Sequence, residues 1–217
     1  MKVSLIQSNF IPWIGYLSII KNSDLFILFE DVQYTKNDWR NRNKFLVNNN
    51  ETWITIPVHY HSKQNFQTVT TSPIKFFQKF KKTFENYYSQ NNNYKKIKTE
   101  LESKIQICSE ETLLKNINRI FLRFLLDLYN IKTKIIFLEK APQIDNPSDK
   151  VLEILKNYSA TEYLSGSSAK NYLNEELFLR NNIKLSYVNY DKLISPFLNE
   201  SNKKYKNFSS LQFFLES

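Results

Sequence analysis

Only two glycines, Gly15 and Gly166, occur in this chain of 217 residues. Average usage near 7% corresponds to about 15 glycines in a chain of this length. Glycine lets a backbone turn left-handed or pass close to a ligand, so this chain has few places where either can happen. The absence of G-x-G-x-x-G and G-x-x-x-x-G-K-[ST] argues against Rossmann dinucleotide binding and P-loop phosphate binding. Each remaining glycine is therefore informative, either as an ordinary turn or cap residue or as part of a site.

The composition is that of a folded domain with a basic surface. Hydrophobic residues make up 41% of the chain and aromatic residues 15%, which is enough for a core, and the formal net charge is +9. A basic surface suits nucleic acid, but it also suits a nucleotide-linked sugar or an acidic carrier protein. Because the lysines are spread along polar helix faces, we expect no nucleic-acid partner.

The cysteine content, the first residues and the lengths of the apolar stretches indicate the compartment in which we expect the protein. A single cysteine, Cys108, rules out an internal disulfide framework and a cysteine-based zinc cluster, and we expect it to be structural. The first residues become polar too quickly for a signal peptide. No apolar stretch approaches the ~20 residues that span a bilayer. We therefore expect a cytoplasmic protein without a membrane span.

The hydrophobic pattern at the start of the chain indicates an α/β fold. A short strand at residues 3–6, a helix at 15–21 and a continuous apolar strand at 25–29 form the β-α-β pattern of a parallel pair. Strands at 44–47 and 52–56 predict a β-hairpin. Asparagines join these two strands, and we expect them to adopt the conformations that glycine usually supplies.

A long stretch of helical periodicity separates this opening from the rest of the chain. From Pro73 to about Tyr129 the apolar residues recur at spacings of three and four. Beyond it we predict a strand at 134–138, a helix at 148–157, a strand at 161–164, a helix at 177–181, a strand at 184–188 and a helix at 208–215. The overall prediction is a single α/β domain over residues 1–217. It has a mostly parallel sheet flanked by helices, a β-hairpin and an all-helical subregion at about 73–130.

Residues 31–43, between the second strand and the hairpin, hold the densest group of polar and aromatic side chains. A solvated loop has no need of Tyr34 and Trp39, and a core would not accept Arg40 and Arg42 without partners. Arginine binds phosphate or carboxylate through two hydrogen bonds, amides orient hydroxyl groups, and an aromatic face stacks on a base or sugar. The pattern favours a binding site over an Arg/Asp network that merely locks a loop. The candidate binding residues in this segment are Gln33, Tyr34, Trp39, Arg40, Asn41 and Arg42.

Two other segments follow predicted strands, where ligands of open α/β sheets usually bind. Residues 7–16 follow the first strand, and the helix beginning near Gly15 offers free backbone N–H groups. Residues 165–170 (S-G-S-S-A-K) combine serines, a glycine and a helix start, which is typical of a modest anion site. The candidate binding residues in these two segments are Gln7, Asn9, Trp13, Tyr16, Ser165, Gly166 and Ser167.

His59 and His61 are the only histidines, and they open a polar stretch at 59–72 that we predict to be an irregular loop. On a strand the two would share a face, which would allow a metal pair, but the sequence supplies no third ligand. We expect no bound metal and no cofactor. Either histidine could instead act as a general base near neutral pH.

Four stretches of the chain resemble the WbqC-like family of bacterial proteins, and together they span nearly its whole length. They are residues 7–16 (Q-S-N-F-I-P-W-I-G-Y), 31–43 (D-V-Q-Y-T-K-N-D-W-R-N-R-N), 53–58 (W-I-T-I-P-V) and 163–173 (Y-L-S-G-S-S-A-K-N-Y-L). There are two departures. Ser8 stands where the family usually has proline. Residues 208–212 lack the acid of a family pattern resembling L-S-x-x-D-x-L, which puts a role for a C-terminal carboxylate in doubt.

The resemblance implies a role in bacterial surface polysaccharide synthesis, of O-antigen or capsule. It implies acyl or aminoacyl transfer to a nucleotide-linked amino sugar, from a free or carrier-bound donor. Arg40 and Arg42 would then hold the diphosphate or the donor's carboxylate. The remaining binding roles would be stacking by Trp13, Tyr34 and Trp39 and orientation of sugar hydroxyls by Gln7, Gln33 and Asn41.

Transfer to an amino sugar requires a base, because a sugar ammonium must lose a proton before it attacks. Asp31 is the first candidate base and His59 the second, and Lys36 could stabilise developing oxyanion charge. Two alternatives remain. One is a non-catalytic sugar-nucleotide-binding protein of the same pathway. The other is a nucleic-acid binder that uses the basic helical middle and loses affinity steeply with salt.

Overall fold

The computed structural model describes residues 1–217 and alternates strands and helices along most of the chain. The strands are β1 (Lys2–Gln7), β2 (Leu25–Phe29), β3 (Arg42–Val47), β4 (Asn50–Thr55), β5 (Val58–His59), β6 (Thr70–Thr71), β7 (Lys134–Leu138), β8 (Glu162–Ser165) and β9 (Lys184–Tyr187). The α-helices are α1 (Ile14–Lys21), α2 (Ile74–Tyr88), α3 (Asn92–Glu110), α4 (Leu114–Leu128), α5 (Pro147–Asn157), α6 (Glu175–Arg180), α7 (Tyr190–Ile194) and α8 (Ser210–Leu215). Every helix is too short or too polar to span a membrane.

Five strands form one parallel sheet in the order β7-β2-β1-β8-β9. From β1 the chain passes through β2 to β7 at one edge, and it then returns to β8 and β9 on the other side of β1. The order therefore reverses between β1 and β8. In open α/β sheets such a reversal leaves a crevice outside the carboxyl ends of the two strands, because their connections depart in opposite directions.

The sheet is buried on both faces. On β2, Phe26 and Leu28 enter the larger core with α1 and the helical middle, whereas Leu25 and Ile27 enter a second core with α5 and α6. A strand covered on both sides has no polar face, so its sequence is a continuous apolar run. The predicted α/β fold with a mostly parallel sheet is confirmed, and the bounds predicted for β2 and β7 are those observed.

The helical middle consists of α2, α3 and α4, as the periodicity predicts. Its phenylalanines form an aromatic cluster that receives Phe10 from the loop after β1. The Phe10 ring lies 5.6 Å from that of Phe121 and 6.3 Å from that of Phe80, between ring centroids. Contacts of this kind add to the free energy of burying the rings. The loop that follows β1 is thereby anchored in the core of the helical middle.

Asparagine, and not glycine, supplies most of the left-handed backbone. The hairpin between β3 and β4 turns at Asn48 (φ 52°) and Asn49 (φ 59°), as predicted, although β4 begins two residues closer to the turn than expected. Asn130 (φ 50°) follows α4 in the same conformation. Neither glycine has a positive φ. The two glycines must therefore be needed for the space that a missing Cβ leaves.

Residues 59–72 are more ordered than the sequence indicates. The strand β5 pairs with β6, and a 3-10 turn at Phe66–Thr68 lies between them. Two-residue strands are too short to show any periodicity, so the sequence predicted an irregular loop. Cys108 is buried as expected, and burial raises the pKa of its thiol to about 12.

A charged cluster fastens the helical middle to the sheet. Glu30, directly after β2, is fully buried and accepts two hydrogen bonds from the guanidinium of Arg119 on α4. Arg119 also binds Glu139 after β7, and Lys115 donates to the same carboxylate at 3.1 Å. Burial raises the pKa of Glu30, and Arg119 opposes that rise. The guanidinium is thus the partner that makes a buried carboxylate tolerable here.

We predict that Arg119→Met destabilises the fold in a pH-dependent manner. Without the guanidinium, the folded-state pKa of Glu30 rises further above its unfolded value, and stability is then lost as pH rises through the folded pKa. The loss in free energy of unfolding should approach about 3–5 kcal/mol at about pH 8, the cost of breaking a buried pair. It should be clearly smaller at about pH 5. Urea unfolding at both pH values measures this difference.

The double variant Arg119→Met/Glu30→Gln is the control, because it has no buried carboxyl at position 30 to titrate. Its loss of stability relative to the wild type should be nearly the same at both pH values. An equally large pH dependence in the double variant would show that another group is responsible.

Candidate functional site

A cavity of about 630 Å³ lies outside the carboxyl ends of β1 and β8. Its size falls within the range of small-molecule sites, and its position is the one at which an order reversal leaves a crevice. All three segments that the sequence singled out contribute to its lining. The predicted binding residues that line it are Gln7, Asn9, Trp39, Arg40, Ser165 and Gly166.

Backbone and amide hydrogen bonds hold segment 31–43 against the loop after β1. Phe10 donates its N–H to the carbonyl of Trp39 at 2.9 Å. Asn43 Nδ2 donates to the carbonyls of Phe10 at 3.2 Å and Ile11 at 2.7 Å. Ile11 has φ 41°, which is strained for a β-branched residue. Such strain persists only where surrounding contacts over-determine the backbone, and the Asn43 amide is one of those contacts.

The departure of Ser8 from the family's proline has a structural counterpart. The buried Asn118 of α4 donates its Nδ2 to Ser8 Oγ at 3.2 Å and to the carbonyl of Arg40 at 2.8 Å. The serine hydroxyl therefore serves as an acceptor where proline would offer none. One amide of the helical middle thus contacts both segments that build the cavity.

Arg40 is the central side chain of this wall. It is 5% exposed, and its guanidinium donates to the carboxylate of Asp38 and to the side-chain oxygen of Gln7. Its Nε is buried without a partner. Asp38 lines the cavity with Arg40. The sequence presented an Arg/Asp network and a binding site as alternatives, but here the paired Arg40 and Asp38 form part of the cavity wall. Because the two charges are paired, Arg40 adds little net charge to the cavity.

Lys150 is the unpaired cation of the cavity, and sequence reasoning missed it. It lies in the first part of α5, is half-buried, and has no acid within 4.0 Å and no hydrogen-bond partner. Asn146 caps the same helix by accepting from the N–H groups of Ser148 and Asp149. The positive end of the helix dipole adds to the charge of Lys150. Nothing in the sequence distinguishes this lysine from the many others.

Both glycines make room for one aromatic pair. The Tyr190 ring of α7 lines the cavity and packs on Trp13 with 4.9 Å between ring centroids. A Cβ on Gly15 would lie 2.2–2.6 Å from atoms of the Trp13 ring, and one on Gly166 would lie 3.2 Å from Tyr190 Oη. Trp13 does not line the cavity itself but supports Tyr190. Burial raises the pKa of Tyr190, so its hydroxyl remains protonated and available as a donor.

The first part of segment 31–43 turns away from the cavity. Asp31 accepts hydrogen bonds from Asn65 Nδ2 at 2.7 Å and from the N–H of Ala141 at 2.9 Å. Asp31 does not line the cavity, and for that reason we do not retain it as the base. The other predicted residues of this part are Gln33, which is exposed and bridges to Asn65, Tyr34, which is buried against Tyr60, and Lys36, which is exposed.

The remaining predicted residues also lie outside the lining. Asn41 is buried and donates to the carbonyl of Ile56 at 2.8 Å. Tyr16 is buried, and its hydroxyl donates to the carbonyl of Gln7 at 3.0 Å, which fixes the end of β1. Arg42 donates to the carbonyl of Asn37 and stacks on Trp53, and Ser167 is exposed beside the lining.

The histidines are not part of the cavity. His59 ends β5, is exposed, and its Nε2 lies 3.1 Å from Ser72 Oγ. His61 Nδ1 lies 3.1 Å from the carbonyl of Ser62. The structure contains no group of three or more His, Cys, Asp or Glu side chains placed to hold a metal ion. Because His59 does not line the cavity, we do not retain it as a base.

The C-terminal departure from the family pattern also lies away from the cavity. Ser209 donates its N–H to the carbonyl of Lys44 at 3.0 Å, and Gln212 Oε1 accepts from the N–H of Leu46 at 3.0 Å. Residues 208–212 therefore pack on β3, and none of them lines the cavity.

The strand order and the place of the cavity define a doubly wound α/β protein with a crevice at its switch point. The chain matches the WbqC-like protein family over residues 7–207 and belongs to that family. It is 31% identical over 192 residues to the uncharacterized protein Rv1507c of Mycobacterium tuberculosis. The matched region covers 88% of this chain and 83% of that protein. No solved structure matches the chain.

We predict that Gly15→Ala destabilises the protein by about 1–3 kcal/mol, because the added methyl group overpacks against Trp13. In a Trp13→Ala background the same substitution should be neutral or stabilising, since alanine is the better helix former. Thermal unfolding of the four proteins of this cycle measures both effects. Equal losses in the two backgrounds would show that the Trp13 ring is not what requires glycine.

Proposed function

We propose that the protein binds a nucleotide-linked amino sugar in the cavity between the ends of β1 and β8 and transfers an acyl or aminoacyl group to its amine. The observation that carries this proposal is the set of groups converging on one ligand-sized volume. It contains an unpaired lysine, an Arg/Asp pair, two amides and three phenols. The chain belongs to the WbqC-like family, and a role in bacterial surface polysaccharide synthesis is part of this proposal.

The phosphate end of such a substrate suits the side of the cavity formed by Lys150. An ammonium group without an acidic partner attracts phosphate, and the adjacent N-terminal end of α5 has the same sign of potential. Ser168 lines the cavity near the start of the 3-10 turn at Ser167–Asn171, and its hydroxyl can donate to the same anion. These groups recognise a diphosphate without any glycine-rich loop.

The amino-sugar end suits the side formed by Asp38. Asp38 is the only acid that lines the cavity, and no histidine does. Its carboxylate can bind the sugar ammonium, take up one proton and release the neutral amine. The amine then attacks the donor's carbonyl carbon, the bond to the donor's leaving group breaks, and the second proton of the nitrogen leaves with that group. Tyr190 is a candidate to donate a hydrogen bond to the oxyanion that forms in this step.

Binding without turnover is the second candidate function, and one observation favours it. Asp38 is held by the guanidinium of Arg40. A carboxylate that is stabilised as an anion by arginine is a weaker proton acceptor. A protein of this kind would bind the sugar intermediate and form no product.

Lys150→Ala should weaken the binding of nucleotide-linked amino sugars about tenfold or more, since it removes a charge-assisted contact to phosphate. Isothermal titration calorimetry with a panel of such sugars at two salt concentrations measures the effect. The matched control is Lys156→Ala, which removes an exposed lysine from the last turn of the same helix. Equal affinities of the two variants would contradict the assigned phosphate site.

Asp38→Asn should abolish at least about 99% of product formation if Asp38 is the base, in line with the 10²–10⁴-fold contribution of general base catalysis. Mass spectrometry of reactions with acyl and aminoacyl donors measures the product. Asp31→Asn is the control and should keep most of the turnover, because that carboxylate faces Asn65 and Ala141. Tight ligand binding without product from any donor in the wild type would favour the non-catalytic alternative.

A further inference from the structure

Two tryptophans lie exposed and in contact beside the mouth of the cavity. Trp39 and Trp53 are each 40% exposed, and their ring centroids are 5.1 Å apart. Trp39 lines the cavity, whereas Trp53 stands on β4 outside the lining. A pair of large aromatic rings left in water is more informative than a buried pair, because burial would be more favourable. The aromatic surface thus continues outward from the cavity.

Two cations of β3 lie against the outer tryptophan. The guanidinium carbon of Arg42 is 4.3 Å from the centre of the Trp53 ring, and Lys44 Nζ is 5.4 Å from it. Residues two apart on a strand share a face, which explains the arrangement. Lys44 is paired with Glu51, but Arg42 has no acidic partner. The surface therefore carries one unpaired positive charge next to two aromatic rings in contact.

We propose that Trp39, Trp53 and Arg42, here termed the tryptophan platform, bind the nucleobase and the adjoining phosphate of a nucleotide whose remainder enters the cavity. The base would stack on an indole face, and Arg42 would bind the phosphate. A single unpaired cation suits one nucleotide, whereas a nucleic-acid strand requires a track of cations. The inference rests on the proposed function and adds to it a subsite for the nucleoside end.

The nucleotide on the platform has two possible sources, the sugar nucleotide itself or a donor activated as a nucleotide ester. Binding assays of single variants distinguish them. If the platform holds the sugar nucleotide, Trp53→Ala and Lys150→Ala should both weaken the binding of that one ligand. If it holds the donor, Trp53→Ala should leave the sugar nucleotide's affinity unchanged and weaken the binding of nucleoside monophosphates.

The test is calorimetric titration of nucleoside monophosphates and of ribose 5-phosphate, which lacks the base. Trp53→Ala should weaken the binding of the best nucleoside monophosphate at least about fivefold, as expected for the loss of one stacked base. It should leave the affinity for ribose 5-phosphate unchanged. Tyr87→Ala, which removes another exposed aromatic ring on α2, is the matched control and should have no effect.

Trp53→Phe and Arg42→Gln keep the inference testable if Trp53→Ala disturbs the hairpin. Trp53→Phe retains an aromatic face and should keep most of the affinity. Arg42→Gln should lower the affinity for the monophosphate but not for the nucleoside. Identical nucleotide affinities in the wild type, Trp53→Ala and Arg42→Gln would overturn the platform.

Failure of the platform and failure of the proposed function give different results. Loss of sugar-nucleotide binding in Lys150→Ala, with no change in nucleotide binding in Trp53→Ala, overturns the platform and leaves the cavity proposal standing. Weaker nucleotide binding in Trp53→Ala, with no change in sugar-nucleotide binding in Lys150→Ala, overturns the cavity proposal. Much tighter binding of a short single-stranded oligonucleotide than of a mononucleotide, with a steep salt dependence, would replace the platform by a nucleic-acid surface.

Discussion

The arrangement of the candidate site depends on the buried guanidinium of Arg40. It joins Asp38 and Gln7, and so fastens segment 31–43 over the end of β1. Removing a buried cation's partners is costly, so the two segments are held together by the need to keep Arg40 paired. The Phe10 N–H and the Asn118 amide reinforce the same junction.

The fold resembles nucleotide-binding α/β sheets in strand order, but the loop after β1 differs in composition and conformation. In dinucleotide-binding proteins that loop is glycine-rich and approaches the pyrophosphate closely. Here it contains Phe10, anchored in the helical middle, and Ile11 in a strained conformation. The two glycines instead give space to the Trp13–Tyr190 pair. The loop thus forms a wall anchored in the core, and the unpaired cation of the cavity, Lys150, comes from α5.

Much of the fold could be predicted because the signals were local. The apolar run of β2, the periodicity of the helical middle and the asparagines of the hairpin turn each depend on neighbouring residues alone. The convergence of segments 7–16, 31–43 and 165–170 followed from one rule about strand ends. Lys150 and Tyr190 could not be found, because only the strand order brings α5 and α7 to the crevice. Composition also does not show that segment 31–43 turns, so that its first part, with Asp31, meets Asn65 and lies outside the cavity lining.

The most direct test of the account is a crystal structure of the protein with a nucleotide-linked amino sugar. Ligand density should lie between the carboxyl ends of β1 and β8, with a phosphate beside Lys150 and the amino sugar beside Asp38. Density at any other surface, with the crevice filled only by solvent at saturating ligand, would contradict it.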